Sequence, residues 1–180
     1  MIYKIIIIIF LIMVAVVYSG NNKSESLNVK VGSQAPLFTS IDHNKNEINL
    51  KDYIEHYVVI YFFPKAFTPG WTKQACGFRD QYSIYKENNI EIIGISYSSA
   101  SNHKEFADKY SLKFHMLSDS EKKVATLYGV NAVLFPKRVT FLIDESGIIF
   151  DIVKNISLEN YGESIIKKFK INSGLDSNAQ

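Results

Sequence analysis

The features of this chain that could do chemistry by residue type are the one thiol, Cys76, the cation Arg138, and the helix start at Thr68-Pro69. Thr68-Pro69 reads as a helix N-cap followed by proline at the first helical position, where the missing N–H costs nothing. Such a helix start gathers unpaired backbone N–H groups and the positive end of the helix dipole, so it suits a developing negative charge. Cys76 is the only cysteine, and only as a thiolate would it be a strong nucleophile. Arg138 is always charged and offers five donors, enough to lower a thiol pKa or to hold an oxygen ligand; taken alone it reads better as a surface ion-pair partner. Trp71 supplies one N–H donor and no lone-pair nucleophile.

The elements that must position these residues follow from the pattern around them. Tyr57–Phe63 is a near-continuous apolar run, β-branched and aromatic, of the kind found in a strand buried on both faces. Pro64 ends it. A helix is expected from Pro69 to about Glu87, with Ala75, Phe78, Tyr82 and Tyr85 on one face. At about 100° per residue Trp71 shares that stripe. Cys76 lies roughly 7.5 Å further up the axis and about 140° round from it. It is therefore expected away from Arg138 and from the helix start, with an ordinary thiol pKa near ~8.5.

The stretch FFPKAFTPGWTKQACGFRD, Phe62 to Asp80, resembles the active-site segment of the peroxiredoxins (AhpC/TSA), and within them the bacterioferritin comigratory protein or PrxQ subgroup. In the motif P-x-x-x-T-x-x-C of that family, Pro64 and Thr68 match. The peroxidatic cysteine falls on Trp71, and Cys76 stands where the subgroup usually has its resolving cysteine. Pro136–Asp144 resembles the segment whose arginine approaches the peroxidatic thiolate, which places Arg138 in that role. Val31–Pro36 resembles the V-G-x-x-A-P entry, and Phe106, Lys109 and Tyr110 fit H-x-x-F-x-x-K-Y. The resemblance covers residues 29–172. It implies a thioredoxin-like α/β fold and reduction of a hydroperoxide at the expense of a thioredoxin-like reductant.

Peroxide reduction requires a thiolate. The residues therefore imply a peroxidase that is weakened or lost, with Trp71 packed into the pocket that would admit peroxide. The alternative, from another class, is a non-catalytic peroxiredoxin-like binding or interaction protein. Cys76 keeps three open roles: a structural thiol, a thiol forming mixed or intermolecular disulfides, or a relocated nucleophile.

Taken in order, the chain opens on Lys4 and the apolar run Ile5–Val17. At 1.5 Å per residue the run spans roughly 20 Å, short of the ~30 Å hydrocarbon core, so a cleaved signal peptide is expected over 1–19 rather than an anchor. Export to a periplasm or secretion follows, or tethering through residues 5–17; this segment is the only expected membrane contact. Gly20–Leu27 is polar and reads as part of a linker over 20–28, before a domain over 29–172 and a tail over 173–180. Strands Leu37–Ile41 and Glu47–Leu50 are expected to form an N-terminal β-hairpin. Strand Ile90–Ser96, a helix capped at Ser101 or Asn102 and running to Tyr110, strand Phe114–Leu117 and helix Glu121–Tyr128 come next. Strands Val139–Ile143 and Ile148–Val153 join through Glu145-Ser146-Gly147, and an amphipathic helix Leu158–Phe169 closes the domain. Alternation of strand and helix predicts a mixed sheet with helices on both faces.

A net charge of +2 with no Lys/Arg cluster gives no case for nucleic acid. His43, His56, His103 and His115 show no ligand spacing, and no nucleotide or haem motif is present, so no metal or cofactor is expected. A single cysteine excludes an internal disulfide.

Overall fold

The computed structural model describes residues 29–174 apart from 155, 156 and 158. The expected targeting segment, the linker, the helix start at Leu158 and the tail beyond 174 lie outside the described residues. The order is β1 (Thr39–Ile41), β2 (Glu47–Asn49), a 3-10 turn (Leu50–Tyr53), β3 (Tyr57–Phe62), α1 (Pro69–Asp80), α2 (Tyr82–Glu87), β4 (Ile90–Ser96), α3 (Ala100–Tyr110), β5 (His115–Ser118), α4 (Lys123–Leu127), β6 (Val139–Ile143), β7 (Ile149–Val153) and α5 (Tyr161–Asn172).

β3 lies at the centre of a five-stranded sheet of order β5-β4-β3-β6-β7. It pairs parallel with β4, from Tyr57 opposite Ile90 to Phe62 opposite Ile95, as a helical crossover requires. β5 extends the parallel half, while β6 and β7 add antiparallel. Both faces of β3 are covered, and its period-2 alternation sorts the two cores. Val59, Tyr61 and Phe63 pack with Trp71, Ala75 and Phe78 of α1, Phe106 of α3 and Ile165, Ile166 and Phe169 of α5. Val58, Ile60 and Phe62 pack with Val124 and Ala125 of α4 and with Phe38, Ile48 and Leu50 of the N-terminal hairpin. Isolated bridges Asp42–Leu117, at the hairpin turn, and Gln34–Ile148, in the segment before it, tie the N-terminal part of the domain to the main sheet.

The expected fold is present, and the differences are local. The long helix expected from Pro69 to Glu87 breaks at Gln81 (φ −106, ψ 10). The restart carries the Tyr85 hydroxyl to the Gly162 carbonyl at 2.7 Å. Ser99, not Ser101 or Asn102, caps α3, its hydroxyl accepting from Asn102 N. α4 begins at Lys123 rather than Glu121, because the Asp119 carboxylate accepts from Val124 N and Ala125 N (3.1 and 2.8 Å) while Lys122 turns left-handed (φ 59). α1 and α5 cross with backbone nearly touching: a Cβ on Gly162 would lie 2.2 Å from Gly77 O.

Candidate functional site

α1 begins where expected, with Thr68 at the N-cap and Pro69 first in the helix. The Thr68 hydroxyl does not cap the helix; it donates to Lys65 O at 3.2 Å. Phe67, just before the cap, is held at φ 67, a left-handed conformation unfavourable for a bulky residue. Its ring meets Phe106 edge-on at 5.2 Å, and Lys109 Nζ stands 5.5 Å over it. Pro64 is half-buried at the end of β3. Pro64, Phe67 and Thr68 thus form a constrained turn that delivers Trp71 into the first turn of α1.

Trp71 is buried, only 6% exposed, and its ring lies 6.3 Å from that of Phe63. Arg138, one residue before β6, lays its guanidinium on the indole, 3.8 Å from the ring centroid. Such stacking contributes ~0.5–2 kcal/mol, more as the pair is desolvated. Burial holds the Arg138 pKa below its ordinary value, against the field of the Tyr161 phenol. Strand β3, helix α1 and strand β6 therefore bring Pro64, Thr68, Trp71 and Arg138 together at one end of the sheet.

Three further residues complete this corner, and the sequence reading missed them. The Tyr161 hydroxyl donates to Thr140 Oγ1 at 2.7 Å, with both residues buried. Burial pushes the Tyr161 phenol up to about 12, while the Thr140 bond, the Gln74 amide and Arg138 pull against it. Gln74, fully buried one helical turn past Trp71, lies against that phenol without the geometry of a hydrogen bond. Tyr161 arrives from α5, 85 residues beyond Cys76, so no local pattern announces it. The one available signal was the glycine in each of two helices, Gly77 and Gly162, which marks a close helix crossing.

Cys76 stands apart. It is half-buried and free, in a separate groove of about 250 Å³ with Lys73, Asp80, Gln81, Asn160, Tyr161 and Glu163. Burial raises its thiol pKa; Arg79 opposes this and Asp80 adds to it. The expectation of an ordinary thiol pKa is thus corrected: the sulfur is partly desolvated, and the cation it feels is Arg79 rather than Arg138.

The four histidines have separate surroundings. His103 Nε2 shares a 2.7 Å hydrogen bond with Ser96 Oγ in the core, and burial drops its pKa to about 4. His115 pairs with Asp42 at 2.9 Å, and His43 Nε2 meets the Asn44 amide at 3.1 Å. His56 lies ring-to-ring with Tyr53.

The AhpC/TSA family model matches residues 31–152. The chain belongs to the AhpC/TSA family. It is 43% identical over 140 residues to "Peroxiredoxin Q, chloroplastic" of Oryza sativa subsp. japonica, a match covering 76% of this chain and 64% of that protein. It is 42% identical over 132 residues to the protein of that name from Sedum lineare, covering 71% of each. The chain thus spans just under two thirds of the length of the rice relative. Among solved structures it is similar to peroxidoxin BcpB from Mycobacterium tuberculosis, at 28% identity and a TM-score of 0.74, covering 80% of this chain and 98% of that one. A cysteine mutant of Xylella fastidiosa PrxQ, at 24% identity and a TM-score of 0.73 over 81% of this chain and 98% of that one, shares the fold.

These relatives correct one expectation. Export to a periplasm, secretion or a tether through residues 5–17 does not agree with relatives whose names carry a chloroplastic address. The physical reason is that a short apolar run behind a cation reads as a targeting signal and carries no information about which compartment lies beyond. Among the described residues no helix is long and apolar enough to cross a membrane.

Proposed function

We propose that this AhpC/TSA-family protein is a PrxQ-type relative of thiol-dependent hydroperoxide reductases whose own peroxidase activity is weakened or lost, because Trp71 occupies the peroxidatic position. The observation that carries the proposal is the Arg138 guanidinium stacked 3.8 Å from the Trp71 ring centroid. In the reaction a thiolate sulfur attacks one peroxide oxygen and the O–O bond breaks. The alkoxide or hydroxide leaves and takes a proton, and the sulfur becomes a sulfenic acid. A second thiol then forms a disulfide with loss of water, and a thioredoxin-like dithiol reopens it. Arg138 and the helix start would favour the thiolate and the leaving oxygen. Here they face an indole, which can neither ionise to a thiolate nor accept the oxygen.

Cys76 is the only thiol of the chain. Its raised pKa leaves little thiolate at neutral pH. This speaks against Cys76 as a relocated nucleophile and favours the non-catalytic alternative, with Cys76 a structural thiol or one that forms mixed disulfides only slowly. The domain is proposed to run over 29–172, behind a targeting segment over 1–19 and a linker over 20–28, with a tail from 173. The plastid address of the relatives is proposed for this chain as well. Fusing residues 1–28 to a fluorescent reporter tests that destination, and retention of the reporter in the cytosol would refute it.

Trp71→Cys tests the position itself. The variant is expected to gain a low-pKa thiol and hydroperoxide turnover with a dithiol reductant, with Cys76 able to resolve the sulfenic acid. It should lose about 1–3 kcal/mol of stability to the cavity left by the indole. A folded variant with no new low-pKa thiol would contradict the assignment of Trp71 to the peroxidatic position.

A further inference from the structure

We infer that a second groove, on the α4 side of the sheet, binds an anionic amphiphile: a carboxylate carried on a long apolar tail. The groove holds about 950 Å³, within the ~300–1,000 Å³ of small-molecule sites. Its floor is apolar, built from Tyr128, Val130, Val139, Phe141 and Ile152. Its polar wall carries three cations, Lys137, Arg138 and Lys154, and among the described residues the lining contains no carboxylate.

Among the described residues those three cations, like most lysines, hold no carboxylate. Lys86, Lys104, Lys123 and Lys168 each hold one. β7 shows how the separation arises: Ile152 lines the groove, while Asp151 next to it points the other way and binds Lys168 at 2.7 Å. Strand alternation thus removes the acid from this wall and leaves its positive charge uncompensated. An anionic head is the complement of such a wall.

The tail has a place as well. Between the lining residues Asn131 and Lys137, the chain presents Val133, Leu134 and Phe135 to solvent, 85%, 74% and 44% exposed. This tip is fixed from beneath: Lys122 Nζ donates to Val133 O at 2.7 Å, and Ala132 N donates to the Tyr97 hydroxyl at 3.3 Å. Three consecutive exposed apolar side chains extend the apolar floor, and the anchored backbone lowers the ordering cost on binding.

Arg138 belongs to both places, because it lines this groove and stacks on Trp71. Trp71 is the only tryptophan, so its fluorescence reports occupancy. The test titrates the full chain with sodium laurate below its micelle concentration, reading fluorescence and calorimetric heat. Saturable binding is expected, weakened roughly tenfold or more by high ionic strength. Dodecanol, with the same tail and no charge, is expected to bind at least about tenfold more weakly, and so is laurate to the double variant Lys137→Glu/Lys154→Glu. The dodecanol and salt arms use the unmodified protein and stand even if the variant does not fold. Absence of saturable laurate binding, equal binding of dodecanol, or indifference to charge reversal in a folded variant would overturn the inference. So would saturable binding of an acidic apolar peptide where laurate does not bind.

Discussion

At the scale of single residues, the Trp71–Arg138 stack is the feature on which the reading turns. A guanidinium over an indole is stabilising; the stack covers one face of the cation, while Arg138 stays part-exposed along the groove wall. Arg138→Ala is therefore expected to shift the Trp71 emission and to cost about 1 kcal/mol of stability, read by denaturant unfolding; an unchanged emission spectrum would mean that the stack does not persist in solution. Cys76 should behave as a desolvated, unactivated thiol. Its alkylation rate is expected to be slow at neutral pH, with a midpoint above that of an ordinary thiol, and a midpoint near neutrality would contradict this. The sequence disclosed Pro64, Thr68, Trp71 and Arg138 because each sits in a short local pattern. It did not disclose Tyr161, Thr140 or Gln74, whose meeting depends on how α5 packs against α1.

At the scale of elements, that packing rests on two glycines. Gly162→Ala would place a Cβ 2.2 Å from Gly77 O, against backbone that cannot yield. Gly77→Ala would meet Gly162 N only at 3.4 Å. The first is expected to cost roughly 1–3 kcal/mol or more. The second should be near neutral, since replacing a mid-helix glycine with alanine recovers about 1 kcal/mol of propensity. Thermal unfolding of the two variants checks the contrast, and equal effects would mean that the crossing is looser than described. Strand and helix order was legible because apolar runs and amphipathic stripes are local. The break at Gln81 was not, because Tyr82 and Tyr85 continue the stripe by spacing while the restart follows from the Tyr85 bond to Gly162. The left-handed Lys122 that delays α4 was hidden for a related reason: the helix start is set by the Asp119 carboxylate rather than by propensity.

At the scale of the whole molecule, the buried His103 sets a pH dependence. Its folded pKa, about 4, lies below the ordinary 6.5, so the native state takes up its proton later than the unfolded chain does. Stability is therefore full above pH 6.5 and falls as pH drops towards 4, by up to about 3 kcal/mol from this group. Urea midpoints across that window should fall, and less steeply in His103→Gln; parallel curves for the two proteins would contradict the assignment. The family was legible in the order of strands, helices and motifs. The compartment was not, because an apolar leader marks a route and not a destination. Whether the intact molecule reduces peroxide is decided by hydrogen peroxide consumption of the unmodified chain, with thioredoxin or dithiothreitol as reductant. Turnover little above that of the reductant alone, unchanged by Cys76→Ser, is expected. Rapid turnover abolished by Cys76→Ser would contradict this, since Cys76 would then be a working peroxidatic thiol in a groove that Arg138 does not line.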